Sequence, residues 1–285
     1  MNAKISIARL SVASNSLLIA MKLTVGLISG SISILSEAIH SLMDLLASVI
    51  AYFSVKISDT PADDNHPYGH GKFENVSGVI EAILIFIAAF WIIYEAIHKL
   101  MTPEQKIGSL WIGIVVMAAS ALVNIYVSMR LYKVARETES IALEADALHL
   151  KTDVLTSAGV AVGLFLIWVT GYHFLDPIVA ILVACLILKE SFNLFRRAYG
   201  PLLDVTLPED ELMKIRLVIT RHCTGNISFH ELRTRLSGNK RYIDFHLNLS
   251  PEMTVKEAHD FCDCIENDIH QEIPNSEVTI HVENF

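Results

Sequence analysis

The chain has 285 residues, of which 52% are hydrophobic and only 19% charged, with a mean hydropathy of +0.45. That balance excludes a disordered chain, a coiled coil and a collagen-like repeat. A net charge of −9 and a pI near 5.7 exclude a nucleic-acid binder, which needs a basic face.

Apolar runs close to the ~20 residues that cross a bilayer fall at 6–29, 32–56, 76–97, 108–130, 142–169 and 174–195. The expectation is an α-helical membrane protein with six transmembrane helices lying in the lipid bilayer. The first run lacks a small-residue cleavage site, so no cleavable signal peptide is expected. Lys and Arg near the span ends set the orientation. One side collects Lys4, Arg9, Lys56, Lys72, Arg130, Lys133, Arg136, Arg196 and Arg197, and the other has only Lys99 and Lys106. Both termini are therefore expected in the cytoplasm.

The second span carries Glu37, His40 and Asp44, groups that hydrocarbon does not tolerate without a reason. The loop that follows, Pro61 to Glu74, is turn-rich. Its Asp63, His66 and His70 offer a second metal site, or else a solvated loop whose histidines bond to backbone. Glu81 in the third span and Asn124 in the fourth are lone polar residues, expected to form interhelical hydrogen bonds. The fifth span then repeats the second, with Asp146, His149 and Asp153 in the register of Glu37, His40 and Asp44.

The spacing has a geometric meaning. His and Asp at i and i+4 share one helix face. Two such helices packed together present His40, Asp44, His149 and Asp153 to one centre, an N2O2 set suited to four-coordinate Zn²⁺. Two carboxylates balance a divalent ion between two neutral imidazoles, which is the least costly way to hold charge at bilayer depth. Glu37 and Asp146 lie three residues earlier and nearer a membrane surface, where bonding to other helices is the simpler reading and lining the access route the alternative.

After the sixth span, Gly200-Pro201 and Pro208 mark a change of character. Residues 1–203 read as the transmembrane domain and 204–285 as a small α+β domain. Its patterns are a helix at 209–222, strands at 227–236 and 241–250, a helix at 254–272 and a strand at 277–283, giving α-β-β-α-β. His222, His230, His246, His259, His270 and His281, with Glu283, mark it as a metal binder. Of the four cysteines, Cys262 and Cys264 are spaced wrongly for a zinc hook and diverge on a helix, so no disulfide or thiolate site is expected.

Together these residues resemble the cation diffusion facilitator family, and within it the bacterial YiiP/FieF-like efflux branch. The likeness runs over nearly the whole chain: the six spans, the two His/Asp helices, the Pro-Ala-Asp-Asp-Asn-His loop with its Gly-His-Gly-Lys, and the metallochaperone-like tail. It implies a homodimer in the inner membrane that exports divalent metal from the cytoplasm against protons, a transporter and not an enzyme. It implies a transport site at His40, Asp44, His149 and Asp153, and a loop site at Asp63, His66 and His70. It further implies a binuclear tail site among His230, His246, His259, His281 and Glu283, and a charged interlock of Lys72 with Asp204. The branch usually has Asp where this chain has His40, and His there resembles zinc-selective members. It usually ends its tail motif with Asp where this chain has Glu283. The expected cargo is Zn²⁺, also serving as a structural or regulatory ion, with Fe²⁺, Cd²⁺ or Co²⁺ as alternative cargoes and a membrane-anchored metal sensor as the alternative function.

Overall fold

A computed structural model describes residues 3–29, 32–101, 110–172 and 174–284. The chain divides into two compact units, Met1–Tyr199 and Gly200–Phe285. The boundary falls a turn before Asp204, because the 3-10 turn Gly200–Leu203 closes onto the second unit through the Val205 N–H donating to the Gly200 carbonyl at 3.3 Å.

The described residues of the first unit form six long helices: α1 (Ala3–Ser29), α2 (Ile32–Ser58), α3 (Lys72–Met101), α4 (Leu110–Thr138), α5 (Ile141–Thr170) and α6 (Leu175–Tyr199). Among the described residues, four stretches are long and apolar enough to cross a membrane by themselves: Ala3–Ile28, Ser41–Ser58, Lys72–Met101 and Leu175–Leu203. The helices α4 and α5 match them in length, with 29 and 30 residues. Apolar residues cover the outside of this unit, among them Leu17, Phe53, Ile87, Trp91 and Leu182, as expected where lipid is the solvent. Small residues let the helices approach: a Cβ on Gly78 of α3 would stand 3.0 Å from Ala198 of α6.

A buried carboxylate fastens one end of this bundle. Glu74, in the first turn of α3, accepts from the Lys4 ammonium of α1 at 2.9 Å and from the Ser58 hydroxyl of α2 at 2.8 Å. Its other oxygen accepts from Ser140, the residue before α5. One side chain thereby joins the ends of α1, α2, α3 and α5.

The second unit orders its elements as α7 (Glu209–His222), β1 (Ser228–Ser237), β2 (Lys240–Leu249), α8 (Val255–Glu272) and β3 (Ser276–Asn284). The sheet runs β1-β2-β3, with β1 antiparallel to β2 and β2 parallel to β3. Gly238 takes a positive φ of 61° at the first position of the two-residue β1–β2 turn, where a side chain would be strained. Ile215, Val218 and Ile219 of α7, with Cys262, Ile265 and Ile269 of α8, recur at helical spacing and bury one sheet face through Ile243, Phe245 and Leu247. The other face is left to polar side chains.

Candidate functional site

The two His/Asp helices meet. Asp44 of α2 with His149 and Asp153 of α5 each offer one ligand atom, and all of these atoms lie within 4.8 Å of one another. The His149 Nε2 stands 3.1 Å from the Asp44 carboxylate, an arrangement that puts the imidazole proton on Nε2. The His149 Nδ1 is buried and has no hydrogen-bond partner. Asn124 of α4 donates to Asp153 at 3.5 Å, the interhelical contact expected of it, and Asn15 of α1 donates to the backbone carbonyl of Asp44 at 3.4 Å. His40 lies on α2 one turn before Asp44, and its side chain falls outside the described residues, as does that of Glu37.

Sequence reasoning passed over Lys22. Its buried ammonium donates to Ser41 at 2.6 Å, between His40 and Asp44. The signal was a cation in the middle of the first apolar run, far from the Arg9 at its start. Glu81 departs from its expected role. It is fully buried, yet neither of its carboxylate oxygens has a hydrogen-bond partner, so it is not an interhelical hydrogen-bonding group.

The loop residues also converge. Asp63, His66 and His70 hold ligand atoms within 4.8 Å of one another. The Asp63 Oδ1 accepts from the backbone N–H groups of His66 at 2.6 Å and Asn65 at 3.0 Å, which ties the turn to the carboxylate. The His66 N–H is the main cause that holds the Asp63 carboxyl below its ordinary range. His70 brings its Nε2 to 3.4 Å from Asp63, and its Nδ1 is buried without a partner. Gly69, at φ 80°, turns the chain between the two histidines.

In the second unit the polar sheet face carries a row of histidines. His230 pairs with His246 and His246 with His281, one residue from each strand. The Glu283 carboxylate reaches His246 Nδ1 at 3.1 Å, His230 Nε2 at 3.3 Å and His281 Nε2 at 3.7 Å. His230, His246 and Glu283 form the tight group, and His281 borders it. Within the single chain His259 is not brought to this group. It sits on the exposed side of α8, 3.6 Å from Asp263, because α8 turns Cys262, Ile265 and Ile269 toward the sheet. Glu231 was not legible: a bulge between His230 and Arg233 lets it approach His246 at 3.8 Å, and the bulge depends on strand pairing. Lys72 opens α3, while Asp204, at φ 53°, stands 3.8 Å from Arg235 in the second unit.

Metal-ligand clusters set in a bundle of membrane-length helices, and repeated on a small α+β domain, define the class of membrane metal-ion carriers. Residues 8–203 match the family model described as the cation efflux transmembrane domain, and residues 207–285 that of the cation efflux protein cytoplasmic domain. The chain belongs to the cation diffusion facilitator family of cation efflux transporters. Among its relatives, the uncharacterized transporter sll1263 of Synechocystis sp. is 36% identical over 92% of this chain and 84% of its own. The cation-efflux pump FieF of Shewanella oneidensis is 32% identical over 96% and 92%, and that of Escherichia fergusonii 33% over 93% and 88%.

Proposed function

We propose that this chain exports Zn²⁺ from the cytoplasm across the inner membrane in exchange for protons, acting as a homodimer with both termini cytoplasmic. The observation that carries the reading is the convergence of Asp44, His149 and Asp153 from two membrane helices. With His40 one turn from Asp44, the set becomes two nitrogens and two oxygens, the donor mix and number that suit tetrahedral Zn²⁺. Mg²⁺ and Ca²⁺ prefer all-oxygen shells.

The same atoms account for exchange. The His149 Nε2 and Asp44 carboxylate hold a proton between them at 3.1 Å, and that nitrogen and oxygen are the pair an ion would ligate. Proton and metal therefore exclude one another at one place, and binding one releases the other. An imidazole, with an ordinary pKa near ~6.5, makes that trade at cellular pH. Alternating access then lets the proton gradient drive metal outward. The exposed loop cluster and the histidine row are proposed as further cytoplasmic Zn²⁺ sites, and Lys72 with Asp204 as a charged interlock of the dimer.

The test is Zn²⁺-dependent proton flux in proteoliposomes. Wild type should show it, His40→Ala and Asp153→Ala should lose it, and His40→Asp should admit Cd²⁺. Flux that survives both alanine substitutions would sink the proposal.

A further inference from the structure

The bundle holds a second place that calls for a cation. Glu81 of α3 and Asp146 of α5 are both 0% exposed, and none of their four carboxylate oxygens has a hydrogen-bond partner. The two side chains act on one another electrostatically. The Ser11 hydroxyl of α1, also 0% exposed, lies near enough to the Asp146 carboxylate for a weak contact but not in the geometry of a full hydrogen bond. Four carboxylate oxygens without a full hydrogen bond, with the Ser11 hydroxyl beside Asp146, thus come from three helices, next in sequence to the packed Ala82 and Ala145. Burying one carboxylate without a partner costs several kcal/mol, and a like charge beside it adds to that. Orphaned buried polar atoms are rare in folded proteins, so a group of them marks a missing partner. A bound cation would supply that partner for both carboxylates at once.

We propose that Glu81, Asp146 and the Ser11 hydroxyl form a second intramembrane station for the divalent cargo. It would receive the ion from the cytoplasm and pass it to Asp44, His149 and Asp153. The placement follows from the helix. Asp146 precedes His149 by three residues, roughly 4–5 Å nearer the start of α5. In the proposed orientation that end faces the cytoplasm, so this part rests on the reading of the chain as an exporter. Asp146 also feels Asp44 and His149 electrostatically, so the two stations sense each other's charge. The chemistry sets the direction of transfer. Two carboxylates neutralise a divalent ion but offer only oxygen. For Zn²⁺, a site with imidazole nitrogen is the better one. The ion is held loosely at the first station and more firmly at the second.

The experiment counts Zn²⁺ bound to the full-length protein by equilibrium dialysis at saturating metal. Glu81→Gln should bind about one ion fewer per chain than wild type, and so should Asp153→Asn. The double variant should bind about two fewer. Asp146→Asn should repeat the Glu81→Gln result, which guards against one variant failing to fold. An unchanged count in Glu81→Gln would overturn the station. So would a double variant that loses only one ion, since the carboxylates would then belong to the transport site. An unchanged count with fewer protons released per ion would also overturn it, and would make the pair a proton holder. If Asp153→Ala still transports while Glu81→Gln loses an ion, the transport site is wrong and the hand-over with it, while Glu81 and Asp146 still hold a cation; if Asp153→Ala stops transport and Glu81→Gln loses no ion, only the second site falls.

Discussion

A single glycine shapes the loop that gathers Asp63, His66 and His70. Gly69 sits at φ 80°, where a Cβ costs about 1–2 kcal/mol, although nothing crowds it in space. Gly69→Ala should therefore weaken Zn²⁺ binding at this loop by about tenfold, through strain alone. Isothermal titration of a protein with the histidine row removed would check it, and unchanged affinity would show that the turn relaxes freely. At this scale the sequence was legible wherever chemistry repeats along a helix. His149 and Asp153 betrayed themselves because charge inside an apolar run has few cheap explanations. Glu81 was misread for the same reason: a lone acid announces a need for a partner and does not say which. Glu74 was not picked out, because its partners Lys4, Ser58 and Ser140 are distant in sequence.

Elements impose their own constraints. Helix α8 begins with a capping box: the Thr254 hydroxyl accepts from the Glu257 N–H at 3.3 Å, and Glu257 accepts from the Thr254 N–H at 2.8 Å. Thr254→Ala should cost about 1 kcal/mol of stability in the second unit, measured by urea unfolding. The Thr254 hydroxyl and N–H hold the Glu257 carboxyl below its ordinary 4.5. A depressed carboxyl contributes its stability above the unfolded value and loses it as pH falls through the folded one. The gap in melting temperature between wild type and Glu257→Gln should accordingly persist at neutral pH and close as pH drops below 4.5. The Glu74 clasp makes a stronger demand. Breaking a buried ion pair by removing one partner costs about 3–5 kcal/mol, so Glu74→Ala should lower the thermal stability of the membrane unit far more than Thr254→Ala lowers that of the other. Helix and strand positions were legible from periodicity. The parallel pairing of β2 with β3 was not, since period-2 patterning does not say which strand lies alongside. The intervening α8 decides it, because a crossover helix returns the chain in the same direction.

The molecule as a whole joins an apolar bundle to a charged domain, and each carries its own ligand clusters. That division was legible because the two solvents, lipid and water, select opposite compositions. Metal that binds only folded clusters stabilises them, by about 2.7 kcal/mol at a hundredfold excess over the dissociation constant. Adding a chelator should lower the melting temperature of the second unit, and His246→Ala should abolish the difference between metal-loaded and chelated protein. A melting temperature indifferent to chelator would remove the histidine row from the list of binding sites.

The row of His230, His246 and His281 also bears on how this domain tolerates change. Each histidine comes from a different strand, and the three face the same way only because the strands hold a common register. Replacing a neighbour leaves that register alone. Inserting or deleting one residue within β2 ahead of His246 turns its ring to the opposite, helix-covered face. Such a frame of three strands can drift widely in identity over time while its lengths stay fixed. Across related chains, gaps should therefore fall outside residues 240–246, in the turns and the helix ends.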